Sequence, residues 1–249
     1  MKNRSFFLEK FISAKSFTYR VILKELLPVF RQIKKNKKGT VKILDAGCGE
    51  GNISLFLSQQ DPSVAVTGID ISEKSINISQ TRLKKIRNRV KKNIKFIKTE
   101  IEKYKTEGDS FDLILLTEVI EHVYNDEIVI KKLYSLLGKE GVLFLSTPSK
   151  NAPLYKLKII RKYDKRVGHL RRYSQSDIEA VLVENNFKIL KTIKTEGIIR
   201  NFLFFTHIGK PMLKLANNFS FVSDFLTFLD NISLKIFGES QIIVVAQKT

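Results

Sequence analysis

Residues 41–52 read VKILDAGCGEGN, and this stretch decides the fold. Its first half is a short, nearly continuous apolar run, the pattern of a strand buried on both faces. Its second half places Gly47, Gly49 and Gly51 at alternate positions, just ahead of a helical pattern over 51–59. Glycines at this point let a ligand approach the backbone closely. The dinucleotide fingerprint G-x-G-x-x-G requires Gly or Ala at position 52, where this chain has Asn52. The observed spacing suits an amino-acid carboxylate over the loop, although a plain strand–helix turn also accounts for three glycines.

Outward from this stretch, strand and helix patterns alternate. Further strands are expected at 64–70, 93–99, 111–117, 141–147, 187–195 and 240–249. Helical spacing is found over 15–35, 73–89 and 126–137, and again from about Ser176. Alternation at this period predicts an α/β fold, a doubly wound and mostly parallel seven-stranded sheet with helices on both faces. Ligands then sit at the carboxyl ends of the strands. Two regions add to this core: an N-terminal helical extension (1–39) and, within the domain over 40–249, a basic insertion (150–172) and a helical insertion (198–237).

Composition narrows the partners. The formal charge of +19 favours anionic ones, unless the lysines, scattered along most of the chain, are a general bias. One cysteine, Cys48, excludes an internal disulfide framework and fits a reducing cytoplasm. Its place inside the glycine loop reads as a small neutral filler, since no histidine is near in sequence to activate it. The charged start of the chain does not read as a secretory signal, and no apolar stretch reaches the length of a membrane span. A soluble or at most peripheral protein is expected.

Asp70 ends the second strand, where an acceptor-only carboxylate can bind both hydroxyls of a ribose. With VKILDAGCGEGN, GIDIS, FDLILLTEVIEHV and LLGKEGVLFLSTPS all present, the chain resembles the class I S-adenosylmethionine-dependent methyltransferases over roughly 40–195 and the last strand. The resemblance implies S-adenosylmethionine as cofactor. It places Asp45, Gly47, Gly49, Gly51 and Glu118 around the methionine end and Asp70 on the ribose. Ile71, Glu100 and Ile101 fall beside the adenine, with Thr99 and Ile101 departing from the Gly-Asp-Ala often found there.

The fourth strand runs into EVIEHV, which brings Glu118, Glu121 and His122 to the catalytic edge. Three readings stand. These residues line the pocket. Or His122 is a general base for an acceptor hydroxyl. Or Glu118, Glu121 and His122, joined by His169 of VGHLRRYS, hold Mg or Mn. The polyprenyl-hydroxyphenol O-methyltransferases look similar through EVIEHV and a later Gly-His. The small-RNA 2′-O-methyltransferases share Glu-x-x-Glu-His with a distant histidine, there around a metal.

Between Tyr155 and Arg172 eight basic residues face one acid, Asp164, and tyrosines interleave with them. This suits phosphate, a lipid headgroup or nucleic acid, and equally a solvated amphipathic helix with Leu157 and Ile160 inward. The 198–237 insertion holds eight of the 18 Phe and reads as helical packing, a lid, a dimer surface or a membrane-interface patch. The resulting expectation is O-methylation of a small or lipid-linked acceptor. Its alternatives are RNA 2′-O-methylation with a divalent metal and a non-catalytic S-adenosylmethionine-binding regulator.

Overall fold

The computed structural model describes residues 17–86, 93–106, 108, 110–206 and 208–249. Part of the expected N-terminal extension (1–16), the end of the expected third helix (87–89) and His207 lie outside these residues. The elements run α1 (Arg20–Asn36), β1 (Val41–Ala46), α2 (Asn52–Ser58), β2 (Val64–Asp70), α3 (Glu73–Lys84), β3 (Ile94–Lys98) and β4 (Phe111–Thr117). A 3-10 turn (Ile120–His122) leads into α4 (Asp126–Leu136) and β5 (Leu137–Pro148). Then follow α5 (Pro153–Lys156), α6 (Arg161–Val167), α7 (Gln175–Glu184), β6 (Phe187–Thr195), α8 (Ile198–Phe205), α9 (Gly209–Asn218), α10 (Ser220–Phe237) and β7 (Gln241–Lys248).

The seven strands form one sheet in the order β3-β2-β1-β4-β5-β7-β6. β1 to β5 are parallel, and β7 enters antiparallel between β5 and β6. The order reverses between β1 and β4, which opens a crevice at their carboxyl ends. Period-two alternation sorts the strand side chains onto two faces. Ile114 and Leu116 point to the layer of α4 and α7, whereas Leu113 and Leu115 point to the layer of α1, α2 and α3.

Local chemistry starts the helices where expected. The side chains of Ser72 and Asn125 accept from the amides of Ser75 and Ile128, and Ser174 and Asp177 form a reciprocal capping box ahead of α7. β5 begins earlier than the apolar run suggested. Leu137 already pairs with Phe111 before the register shifts to Leu113 opposite Val142.

The basic segment is not one amphipathic helix. Lys158 takes a positive φ of 64°, which ends α5 and separates an exposed Leu157 from a buried Ile160. α1 buries Leu23, Leu26 and Phe30 against the sheet. Just before it, Phe17 packs with Leu203, Ala216 and Leu226, so the chain's start and the 198–237 insertion share a small core of their own. Among the described residues no helix is long and apolar enough to cross a membrane.

Candidate active site

The glycine loop joins β1 to α2 at the crevice. Gly47, Gly49 and Gly51 have φ of 79°, 52° and 76°, a region costly for residues with a Cβ. A Cβ on Gly47 would stand 2.3 Å from a methyl of Val119, and one on Gly51 2.6 Å from the ring of Phe96. Over Gly49 there is open space, with no atom within 4 Å of a Cβ placed there. The loop is thus packed tightly at both ends and open in the middle, the shape of a cradle.

Asp70 ties this cradle to β2. Its Oδ2 accepts from the amide of Gly49 and its Oδ1 from that of Ser72, both at 2.8 Å. Each carboxylate oxygen keeps a further lone pair for a ligand hydroxyl. Ile71 is 68% exposed beside it, an apolar surface open to a flat ring. Across the β2–β3 end, Ile101 is buried and Glu100 is half-buried, with Lys103 at 2.6 Å from its carboxylate.

Asp45 lies beneath the loop. It is buried, accepts from Ser54 Oγ at 2.5 Å, and its carboxyl is raised to about 6 by burial. The Cys48 thiol is also pushed up by burial and by the charges of Asp45 and Asp70. That keeps it protonated, as a neutral filler should be.

At the end of β4, Glu118 has a φ of 56° and faces the open cleft. Its Oε1 accepts from Ser146 Oγ at 2.9 Å and from Gln241 Nε2 at 2.6 Å. Its carboxyl is raised, desolvation outweighing the hydrogen bonds from Ser146 and Gln241.

The next turn brings a second carboxylate and an imidazole to the same edge. Glu121 is fully buried. Thr147 donates to its Oε2 at 3.2 Å, while its Oε1 has no hydrogen-bond partner. Burial, and then the charge of Glu118, push its carboxyl well above the usual range.

His169 Nε2 stands 4.0 Å from that unpartnered oxygen. The other ring nitrogen of His169 lies 3.1 Å from Asp164 Oδ1, and Arg172 grips Asp164 through Nε and Nη2 at 2.8 and 2.7 Å. Burial works against an ionised Asp164, but the hydrogen bonds from Arg172 and His169 outweigh it and hold the carboxyl at about 2. A carboxylate accepts only, so His169 Nδ1 is the donor, and its Nε2 is turned toward Glu121.

The same logic orients His122. Its Nδ1 is 3.1 Å from the Gly168 carbonyl, so the proton sits there and Nε2 is free. Partial burial and the neighbouring His169 lower its pKa, against the opposing effect of the Gly168 bond. The two imidazole rings are 4.8 Å apart.

One ligand atom each from Glu121, His122 and His169 thus falls within 4.8 Å of the others. Ligands about 2.0–2.2 Å from one ion stand roughly 3–3.5 Å apart, so modest side-chain movement would close the set. Of the four metal ligands expected from the sequence, the fold gathers these three, whereas Glu118 is turned to Ser146 and Gln241. Ser146, Thr147, Asp164, Arg172 and Gln241 were not singled out as site residues by the sequence. For Ser146 and Thr147 a signal existed, since they end β5 at the ligand-bearing edge. For Gln241, 123 residues from Glu118, none did.

The sheet order, the loop open over Gly49 and the carboxylate ending β2 define a class: the class I S-adenosylmethionine-dependent methyltransferases. The family model described as a methyltransferase domain matches residues 37–198, and the chain belongs to that family. Among curated relatives, it is 33% identical over 120 residues to the ubiquinone biosynthesis O-methyltransferase of Glaesserella parasuis, covering 48% of this chain and 50% of that one. To the protein of the same name from Pelagibacter ubique it is 36% identical over 120 residues, covering 48% and 47%. The chain spans about half the length of the curated relatives it matches. In fold it is similar to phosphoethanolamine N-methyltransferase 2 of Haemonchus contortus in complex with S-adenosyl-L-methionine, with a TM-score of 0.63, 15% identity, and coverage of 90% and 52%.

Proposed function

We propose that this chain transfers the methyl group of S-adenosylmethionine to a hydroxyl oxygen of a small or lipid-linked acceptor, with Glu121, His122 and His169 holding a divalent ion beside that oxygen. One observation carries this reading: Glu121 Oε1 is buried without a hydrogen bond, opposite two imidazoles whose free nitrogens are both Nε2. A buried, unpartnered carboxylate oxygen costs several kcal/mol unless a cation or donor meets it. The acceptor class comes from the curated relatives, named as O-methyltransferases of ubiquinone biosynthesis.

The residues present fit the cofactor. The space over Gly49 admits its methionine end, Asp70 has lone pairs for ribose hydroxyls, Ile71 offers an apolar surface to the adenine, and Glu100 can accept from the adenine amine. Bound S-adenosylmethionine supplies a methyl group already activated by a positive sulfur. What is left to the chain is alignment of acceptor, methyl and sulfur, and disposal of the acceptor proton.

They also fit a metal. Both histidines present Nε2, each fixed through Nδ1 by an oxygen, as metal-bound imidazoles usually are. Mg or Mn held there lowers the pKa of a coordinated hydroxyl. His122 favours a second reading without metal. Its lowered pKa leaves Nε2 neutral and able to accept the acceptor proton directly.

The test is incubation with methyl-labelled S-adenosylmethionine and a polyprenyl catechol, with and without Mn, and with a short RNA as the contrasting acceptor. Label in the catechol that depends on Mn supports the metal reading, and label independent of it supports His122 as base. Cofactor binding with no label in the catechol would remove the proposed acceptor.

A further inference from the structure

α10 is amphipathic in the wrong direction for a helix of a soluble domain. Its buried side carries Ser223, Leu226, Asp230 and Ser233, while Phe221, Phe225, Phe228, Ile232 and Ile236 lie along its exposed side. Phe221, Phe225 and Phe228 are 71%, 60% and 61% exposed. The exposed residues are four, three, four and four apart, a single stripe along the helix.

The orientation is fixed by hydrogen bonds. Asp230 accepts from the amides of Gly197 and Arg200 at 2.9 and 2.7 Å, satisfying the buried start of α8. Gly197 packs so close that a Cβ there would stand 2.1 Å from Ser233 Oγ. Arg20 holds Asp224 at 2.6 Å from the other side. Rotating α10 to bury its phenylalanines would break all of these contacts.

The stripe has cationic flanks. Lys210, Lys214 and Lys235 of the insertion are exposed, and the only exposed acid of 198–237, Asp224, is paired with Arg20. α9 adds exposed Met212 and Leu215 beside its two lysines. On α8, which packs against α10, the ring of Phe205 lies 4.4 Å from that of Tyr163 on α6, where Lys162 and Lys165 are exposed.

We propose that the Phe221–Ile236 stripe of α10, with Lys210 and Lys214 beside it, is a docking surface for an anionic phospholipid bilayer. Aromatic and aliphatic side chains at such a boundary bury their apolar surface among the acyl chains while lysines meet the headgroups. Charge decides against a second copy of this chain as the occupant. Two chains of net charge +19 meeting on this face would bring their lysines together, whereas an anionic bilayer is attracted. The family match ends at residue 198, so the surface belongs to the insertion and not to the matched family domain. The inference stands on the surface alone and not on the acceptor assigned above.

The test is flotation of the full chain with vesicles of phosphatidylcholine, alone or mixed with phosphatidylglycerol. Binding is expected with the mixed vesicles and is expected to weaken as salt is added. F225S/F228S should lower the partition coefficient about tenfold or more, because two phenylalanines lose their burial. K210E/K214E should lower it at least about fivefold for each lysine. All four side chains point outward, so melting curves should match the wild type, and either double variant alone can decide. The proposal is overturned if the wild type does not float, or if neither double variant weakens binding. It is equally overturned if the protein is a dimer that F225S/F228S dissociates, which would assign the stripe to a second copy.

Discussion

Glu121 Oε1 and His169 Nε2 face each other across 4.0 Å, and no hydrogen bond reaches the carboxylate oxygen. Among the described residues a buried acid with that vacancy is matched with two oriented imidazoles only here. A divalent ion should therefore bind in a manner that depends on Glu121. Titrating Mn into the protein with S-adenosylhomocysteine bound should show saturable heat in the wild type, and Glu121→Gln should weaken it by roughly two orders of magnitude or more. Unchanged binding in the variant would remove the ion from this site.

Asp164 is expected to act through His169. Asp164→Asn leaves the shape intact but removes the charge and one of the two acceptor oxygens, so that His169 Nδ1 and Arg172 can no longer both be fully met. Metal affinity or methyl transfer should fall roughly 10–100-fold. The loss should appear in kcat more than in the KM for S-adenosylmethionine, because the glycine loop is untouched. Equal loss in cofactor affinity would mark Asp164 as a general structural support instead.

The three loop glycines should respond differently to alanine. Gly47→Ala meets Val119 at 2.3 Å in addition to the φ penalty, and should cost about 2–4 kcal/mol in stability. Gly49→Ala meets nothing and should cost about 1 kcal/mol, yet weaken S-adenosylmethionine binding strongly by filling the cradle. Chemical denaturation beside a cofactor titration separates the two. Normal cofactor affinity in Gly49→Ala would move the ligand off this loop.

Buried acid groups set a pH dependence. Asp45 and Glu196 are raised to about 6 and about 7, mainly by burial. From pH about 4 up to those values the native state keeps protons that the unfolded chain has released, so stability is present at low pH and falls as pH rises. Asp164, held at about 2, has the opposite sign, its contribution being lost as pH falls below about 4. The melting temperature should fall by about 5 °C between pH about 5 and 8, by a contribution of a few kcal/mol at most. Asp45→Asn should flatten that fall, and a variant as pH-sensitive as the wild type would exclude Asp45 as a source.

The strands, the start of α7 and the glycine loop were legible because each is written within a few consecutive residues. Alternation marks a strand, Ser174 and Asp177 mark a helix start, and three alternate glycines mark a turn whose positive φ disfavours a Cβ. The place of EVIEHV at the crevice was legible for the same reason, with its carboxylates and imidazole close in sequence and at the end of a strand. One of the readings offered for 155–172, a single amphipathic helix around Leu157, does not hold because Lys158 takes a positive φ that no pattern of apolar residues announces.

From sequence alone, then, came the class of fold, the strand ends at which the crevice opens and the glycine loop that lies there, since those depend on local periodicity and on backbone sterics. Tertiary structure alone decided that Glu118 is captured by Gln241, that ligand atoms of Glu121, His122 and His169 come within 4.8 Å of one another, and that α10 shows its phenylalanines to solvent. Each of these rests on which distant partner satisfies a buried polar group. The carboxylates of Glu118, Glu121 and Asp230 are placed by amides, hydroxyls and rings far away in the chain, and a sequence window contains no record of them.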